Sequence, residues 1–176
     1  MKIFFIGLPG CGKTTIGSKL AQSLKTSFVD LDHEIVKGEK QQVAVIFEKL
    51  GEQQFRVIEQ KYLKNFCASQ ENFVMATGGG TPCFFDNLEL INNSGVSIFL
   101  DTATNEIANR MMKTELAKRP MFANQNVATV AGRVAELRSQ RIQFYNKAHI
   151  ILSGDEINPE GIVQKVEELK RQSDGQ

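Results

Sequence analysis

A glycine-rich loop follows the first apolar run of the chain and ends in a lysine and a threonine. Residues 7–14 read Gly-Leu-Pro-Gly-Cys-Gly-Lys-Thr, the GxxxxGK[ST] pattern of a phosphate-binding loop. Its glycines allow backbone N–H groups to turn inward around a phosphate, and a helix predicted from Lys13 adds the positive end of its dipole. Lys13 is expected to reach the β- and γ-phosphates, and the Thr14 hydroxyl to face Mg²⁺. The pattern predicts that a nucleotide contacts Gly10, Cys11, Gly12, Lys13, Thr14 and Thr15.

Two carboxylates close the second predicted strand. Asp30 and Asp32 are separated by one residue, so their side chains point the same way from an extended backbone. Near a nucleotide, one could hold Mg²⁺ through water while the other meets a substrate hydroxyl, and phosphoryl transfer needs both functions. Alternatively, both are solvated loop acids that cap a helix starting near His33. The phosphate loop favours the first interpretation.

A basic segment at residues 113–126 follows an amphipathic helix and contains Lys113, Lys118, Arg119 and Pro120. This composition fits either an ordinary surface loop or a mobile lid that closes over a phosphate site. Because a phosphate loop is present, we predict a lid at about residues 112–126.

The elements that must position these residues alternate between apolar runs and longer amphipathic stretches. Strands are predicted at 2–6, 27–30, 72–76, 96–100 and 148–152, and helices at 13–24, 43–66 with a break at Gly51, 128–145 and 159–169. Such alternation predicts an α/β fold in which helices cover both faces of a parallel sheet. Ligands of these sheets bind at the carboxyl ends of the strands, where the phosphate loop and the paired carboxylates fall.

Length, charge and cysteine usage restrict the class of protein. A chain of 176 residues is ample for one domain, 1–176, and short for two; its polar end, 171–176, is expected to be frayed. The net charge of +1 lacks the basic excess of nucleic-acid-binding proteins. No apolar run reaches the ~18 residues of a membrane helix, and the start is too short for a signal peptide. Three widely spaced cysteines indicate free thiols in a reducing cytoplasm. Neither a nucleic-acid nor a membrane partner is expected.

Two other classes of P-loop protein fit the chain less well. A GTP-driven switch would recognise guanine through Asn-Lys-x-Asp, whereas residues 146–149 read Asn-Lys-Ala-His. A motor ATPase carries an acid at the end of a core strand, and Asp101 could imitate that pattern. The third predicted strand instead ends in Thr-Gly-Gly-Gly without an acid, so Asp101 is interpreted as a helix cap or loop residue.

From Met1 to about Leu169 the chain resembles the shikimate kinases. The matching motifs come in the family's order: the phosphate loop, Asp30-Leu31-Asp32, Phe55-Arg56 with Glu59, Gly78-Gly79-Gly80, Arg119-Pro120, and Arg141 with Tyr145 in an RxxxY pattern. The resemblance implies transfer of the ATP γ-phosphate to the 3-hydroxyl of shikimate, on the route to chorismate and the aromatic amino acids. It also implies a nucleoside-monophosphate-kinase type of fold, with a five-stranded parallel sheet in the order 2-3-1-4-5.

On the substrate side, the resemblance implies binding by Asp32, Arg56, Gly78, Gly79, Gly80 and Arg141, within and beyond a helical segment of about residues 33–66. The two arginines would hold the carboxylate, since a guanidinium donates two parallel hydrogen bonds, and Glu59 would orient Arg56. Asp32 would bind the ring hydroxyls and orient the attacking one or accept its proton. The three glycines would let the backbone approach the ring closely.

On the phosphate side, the resemblance implies catalytic roles for Lys13 and Arg119 beside that of Asp32. Arg119 would close with the lid over the transferring phosphate and offset charge in the transition state. Thr14 and Asp30 would hold Mg²⁺. The family's adenine-packing arginine corresponds to Arg110, unless Met112 takes its place.

Related kinases of the same fold remain alternatives: a gluconate kinase, a nucleoside-monophosphate kinase, or a non-catalytic binding protein. The Asp-x-Asp, Phe-Arg, Gly-Gly-Gly and RxxxY set suits a polyol with a carboxylate better than a nucleotide base. A monomer is expected, because the site needs no second subunit.

Overall fold

A computed structural model describes residues 1–118 and 127–174. Within them, five parallel strands form one sheet in the order β2-β3-β1-β4-β5. The strands are β1 (Lys2–Ile6), β2 (Ser27–Asp30), β3 (Phe73–Ala76), β4 (Val96–Leu100) and β5 (Ile150–Leu152). The strand order implied by the family resemblance is thereby confirmed.

The central strands are largely apolar because both faces of the sheet are covered. In β1, Phe4 lies opposite Met75 of β3 and opposite Ser97 of β4. All residues of β3 are buried, as are Ile3–Ile6 of β1. The Phe4 ring meets the edge of Phe73 at a centroid distance of 5.5 Å. Continuous apolar runs of this kind are typical of strands buried on both faces.

The helices of the described chain are α1 (Lys13–Ser23), α2 (Leu31–Glu39), α3 (Val43–Ala68), α4 (Asn87–Ser94), α5 (Thr104–Lys118), α6 (Val127–Tyr145) and α7 (Pro159–Asp174). Gly51 breaks the helical geometry of α3 with φ 79° and ψ 168°, as the sequence predicts. No helix in residues 1–118 and 127–174 is long and apolar enough to cross a membrane.

The observed elements differ from the predicted ones in a few places. The structure contains α4, which was not predicted because eight residues are too few to show a helical period. α5 continues through Lys118 and so overlaps the segment predicted as a lid at about residues 112–126, which stays a prediction. The polar end was expected to fray from residue 171, yet α7 continues to Asp174, and Arg171 lies 3.7 Å from Glu167 one turn earlier.

The parallel arrangement brings the carboxyl ends of all five strands to one edge of the sheet. Residues 7–12 follow β1, Asp30 ends β2, residues 77–80 follow β3, and Asp101 follows β4. The polar motifs of the sequence therefore meet at this edge, where ligands of α/β sheets bind.

Gly95, which joins α4 to β4, leaves no room for a side chain. A Cβ at this position would overlap the backbone carbonyl of Lys2, which belongs to the neighbouring strand. We expect Gly95→Ala to lower the free energy of unfolding by about 1–3 kcal/mol because of this overlap. Urea unfolding followed by circular dichroism measures the change.

Gly132 provides the matched control, because a Cβ there meets no atom within 4 Å among the described residues. It lies inside α6 with ordinary helical φ, so Gly132→Ala should raise stability by about 0.5–1 kcal/mol. Equal unfolding midpoints for the two variants would contradict the steric explanation.

Candidate active site

The phosphate loop is shaped by glycines in left-handed backbone conformation and by the lysine that follows them. Gly10 and Gly12 have φ of 78° and 108°, which residues with a Cβ rarely adopt. The Lys13 ammonium donates to the carbonyls of Gly7 and Leu8 at 2.9 and 2.8 Å. Lys13 is only 8% exposed, so its charge is held inside the loop where a phosphate would be bound.

Thr14 and Asp30, the two residues predicted to face Mg²⁺, lie side by side. The Thr14 hydroxyl donates to Asp30 Oδ2 at 2.9 Å, linking the start of α1 to the end of β2. Asp30 also caps α2, because its Oδ1 accepts a hydrogen bond from the backbone N–H of His33 at 3.2 Å. The capping alternative is therefore correct for Asp30, and the same carboxylate still faces the phosphate loop.

Asp32 lies in the first turn of α2, beside the loop that follows β3. Its tip is open to solvent, but the surrounding walls desolvate it and raise its pKa; Asp30 adds to this increase, while Lys13 and Arg56 oppose it. A Cβ on Gly78 would lie 3.1 Å from Asp32 Oδ1, so the loop after β3 passes directly beside the carboxylate. Asp32 therefore lies within electrostatic reach of both the lysine of the phosphate loop and a buried arginine.

That arginine, Arg56, is held by two carboxylates and an aromatic ring. Its Nη1 donates to Glu59 Oε2 at 3.0 Å and its Nη2 to Glu52 Oε1 at 2.9 Å. The guanidinium carbon lies 4.2 Å from the ring centroid of Phe84. Its Nε is buried and has no hydrogen-bond partner within the described chain, which is costly unless a ligand accepts from it.

Glu59 binds the Arg56 guanidinium and is itself bound by Thr81. It is fully buried, and Thr81 donates to its Oε1 at 2.6 Å. Burial raises the pKa of Glu59, an effect opposed by the Thr81 hydrogen bond and by Arg56 and reinforced by Asp32. Glu59 therefore orients Arg56 through a hydrogen bond and supplies most of its buried counter-charge.

The three glycines after β3 are required by the protein's own close packing. A Cβ on Gly78 would lie 2.8 Å from Glu59 Oε1, one on Gly79 would lie 2.7 Å from Pro9 Cδ, and one on Gly80 would lie 2.6 Å from Arg56 Nη2. The sequence explanation, close approach to a ligand ring, stays a prediction. The packing is a second reason that the sequence could not provide.

Arg141 and Tyr145 extend from α6 toward the same loop. The buried Tyr145 donates its hydroxyl to the Gly79 carbonyl at 2.5 Å, and its ring lies 5.0 Å from that of Phe99. Burial raises the pKa of Tyr145, and the nearby Arg141 opposes the increase. Burial also raises the pKa of Cys83 to about 11, while Arg141 and Arg56 both lower it. Arg56 of α3 and Arg141 of α6 therefore both lie within electrostatic reach of Cys83.

Asp101 lies in the loop that follows β4, as one of the two sequence interpretations has it. Both of its carboxylate oxygens accept hydrogen bonds from the Arg138 guanidinium of α6, the shortest at 2.8 Å. The sequence did not predict this ion pair. The residue after it, Thr102, donates to the Cys11 carbonyl of the phosphate loop at 2.9 Å.

A cleft of about 1490 Å³ leads away from the phosphate loop between α5 and α6. Arg110 lies on its wall and donates to the Cys11 carbonyl at 3.1 Å; Met112, the other adenine-contact candidate, also lines the cleft. Gly154, Asp155 and Ile157 close its far end and were not predicted. They follow the carboxyl end of β5, so the rule that located the other motifs could have found them. Arg119 lies outside the described residues.

The Shikimate kinase family model matches residues 9–170 of the chain. The chain belongs to the shikimate kinase family. A shikimate kinase from Azobacteroides pseudotrichonymphae is 41% identical over 150 residues, which cover 85% of this chain and 88% of the relative. One from Parabacteroides distasonis is 36% identical over 94% of both chains.

Solved shikimate kinases share the fold. The structure from Bacteroides thetaiotaomicron superimposes with a TM-score of 0.80 at 28% identity, over 99% of this chain and 98% of that one. A shikimate kinase from Acinetobacter baumannii, solved in complex with shikimate, gives 0.80 at 29% identity over 98% and 93%. The family resemblance stated from the motifs is therefore confirmed.

Glu59 and Glu52 both bind the Arg56 guanidinium, but they differ in burial. The Glu59 side chain is 1% exposed and that of Glu52 55% exposed. We expect Glu59→Ala to lower the free energy of unfolding by about 3–5 kcal/mol, because it leaves the buried Arg56 charge without its main partner. Glu52→Ala should cost less than about 1 kcal/mol, because solvent screens the exposed pair. Guanidinium unfolding of both variants tests this order; a larger loss in Glu52→Ala would contradict it.

Proposed function

We propose that this chain is a shikimate kinase that transfers the γ-phosphate of ATP to the 3-hydroxyl of shikimate, in the biosynthesis of chorismate and the aromatic amino acids. The observation that carries the proposal is the position of Asp32, beside the loop that follows β3 and within electrostatic reach of both the Lys13 ammonium and the buried Arg56. A hydroxyl bound at Asp32 lies between a phosphate site and a carboxylate site. Membership of the shikimate kinase family and the Acinetobacter baumannii protein's complex with shikimate support this substrate.

The carboxylate of shikimate binds to Arg56 and Arg141. Arg56 is buried and has an unsatisfied Nε, so an anionic acceptor lowers the cost of its burial. Arg141 approaches from α6, and both arginines lower the pKa of Cys83, so both lie within electrostatic reach of the same thiol. Planar guanidinium groups suit a carboxylate because they donate paired hydrogen bonds. The backbone of Gly78, Gly79 and Gly80 borders the ring.

Asp32 orients the 3-hydroxyl and receives its proton at a carboxylate oxygen. Burial and Asp30 raise its pKa, which makes the carboxylate a better proton acceptor than an exposed aspartate. Its position beside Gly78 keeps the acceptor close to the ring that Gly78, Gly79 and Gly80 border.

The phosphates of ATP bind in the loop formed by Gly10, Cys11, Gly12, Lys13, Thr14 and Thr15. Lys13 is preorganised within the loop by the carbonyls of Gly7 and Leu8, and it exchanges these acceptors for phosphate oxygens. Cys11 contributes its backbone N–H. Arg119, from the lid at about residues 112–126, supplies a further positive charge over the transferring group.

Thr14 and Asp30 fit Mg²⁺, because a hydroxyl and a carboxylate are the hard oxygen ligands that this ion accepts, usually with several waters and substrate phosphates. No group of three or more His, Cys, Asp or Glu side chains forms a metal site in residues 1–118 and 127–174. A site for Mg²⁺ made of Thr14, Asp30 and the phosphates of a nucleotide needs no such group. When bound, the ion neutralises charge on the β- and γ-phosphates.

Residues 1–176 are proposed to act as a single, monomeric kinase domain, because the substrate and phosphate groups brought together by the sheet edge come from one chain. The three cysteines are free thiols, which supports a location in the reducing cytoplasm.

Substrate choice is tested by measuring ADP release from Mg-ATP with shikimate, gluconate, CMP, AMP and no acceptor. We expect turnover with shikimate alone. Asp32→Asn should lower kcat by about 10²-fold or more, because the carboxylate acceptor is lost. Arg141→Ala should mainly raise the KM for shikimate. Glu34→Gln, which changes a partly buried side chain on the same helix that the proposed mechanism does not use, is the control and should keep wild-type rates. Faster turnover with another acceptor would overturn the substrate assignment.

The raised pKa of Asp32 predicts a pH dependence. Only the ionised carboxylate can accept the hydroxyl proton, so kcat/KM for shikimate should fall as the pH drops through the pKa of Asp32. Because burial and Asp30 raise that pKa, the decline should begin at a higher pH than the ordinary aspartate value of about 3.9 would give. Rates measured across acidic and neutral pH should show this inflection in wild type and Glu34→Gln. Its persistence in the residual activity of Asp32→Asn would assign it to another group.

A further inference from the structure

On the face of α6 that carries Arg141, two other side chains, here called anchors, bind other parts of the fold. Arg138 precedes it by three residues and binds Asp101; Tyr145 follows it by four and binds the Gly79 carbonyl. Residues three and four apart share a helix face, so the face that carries Arg141 is tied down on both sides. The Tyr145 anchor belongs to the RxxxY pattern, whereas the Arg138 anchor lies outside every motif of the sequence.

The Arg138 anchor has a defined geometry. Arg138 Nη2 lies 3.0 and 2.8 Å from the two oxygens of Asp101, and Nε lies 3.2 Å from Oδ1. The two side chains are 35% and 27% exposed, so solvent limits the stability that the pair contributes. A guanidinium that contacts both oxygens of a carboxylate nevertheless defines an orientation that a point charge does not.

Asp101, the partner of Arg138, is held in place by the backbone of the sheet. The backbone N–H of Asp101 donates to the Leu152 carbonyl at 2.8 Å, which extends the ladder between β4 and β5 by one residue. The next residue, Thr102, is 3% exposed and donates to the Cys11 carbonyl in the phosphate loop. Two consecutive residues therefore bind α6 and the phosphate loop to the same end of β4.

We propose that Arg138 is a positioning residue for catalysis: through Asp101 it holds α6 so that Arg141 stands at a set distance from the phosphate loop. This inference depends on the proposed binding of the substrate carboxylate by Arg141. A substrate carboxylate bound by Arg141 and a phosphate bound beside Cys11 are then both positioned relative to the carboxyl end of β4. Errors of about 1 Å in such positions lower the rates of enzymes by up to about 10²-fold.

The test compares steady-state constants for shikimate and for ATP in four variants. Arg138→Ala should raise the KM for shikimate roughly tenfold and leave the KM for ATP within about twofold, because Thr102 still holds the phosphate loop. Arg138→Lys should recover only part of the loss, since an ammonium cannot contact both oxygens in a fixed plane. Asp101→Asn should resemble Arg138→Ala. Gln140→Ala, exposed on the same helix, is the matched control and should behave as wild type.

A double-mutant comparison separates positioning from a merely structural role. If Arg138 acts through Arg141, then removing Arg138 from an Arg141→Ala enzyme should have no further effect on kcat/KM for shikimate. Independent, multiplicative losses would overturn the proposal, as would an unchanged shikimate KM in Arg138→Ala.

Failure of the underlying assignment gives a different result. If Arg141→Ala alone leaves the shikimate KM unchanged, the proposed carboxylate site is wrong, whatever Arg138 does. If Arg138→Ala does not fold, Asp101→Asn and Arg138→Lys decide the question, because both keep a polar group on each side. Wild-type shikimate constants in both would overturn the positioning role.

Discussion

The burial of β1 at the centre of a parallel sheet is the constraint on which the other features depend. Both edges of this strand are paired, with β3 on one side and β4 on the other, and both faces are covered by apolar side chains. Backbone groups in such a position have no alternative partners, so the register of the neighbouring strands cannot shift without breaking the ladder. The register sets where each strand ends, and the end of each strand sets where the polar segments begin.

Charged groups at this edge are kept in place by the protein before any ligand arrives. Lys13 is held by carbonyls of its own loop, Arg56 by Glu59, and Glu59 in turn by Thr81. Each group is largely removed from solvent, where electrostatic interactions are stronger and unpaired groups more costly. Fixed charges of this kind need little reorganisation when a phosphoryl group is transferred. Such preorganisation is the usual source of electrostatic catalysis.

Sequence patterns located most strands within one or two residues, because fully buried strands and glycine-rich loops have strong local signatures. They also identified the residues that converge at the site, largely through the resemblance to a family. They missed α4, which is too short for periodicity, and the pairing of Asp101 with Arg138, since partners 37 residues apart leave no local signal. The reason for Gly78, Gly79 and Gly80 was incomplete for the same cause: the atoms of Glu59, Pro9 and Arg56 that crowd them come from distant parts of the chain.

Arg141 and Arg56 both lower the pKa of Cys83, and burial nevertheless raises it to about 11. At neutral pH only about one thiol in 10⁴ is then ionised, and the thiolate is the form that attacks electrophiles and peroxides. The sulfur beside the substrate pocket is therefore chemically quiet. A covalent inhibitor aimed at Cys83 would therefore meet a poor nucleophile.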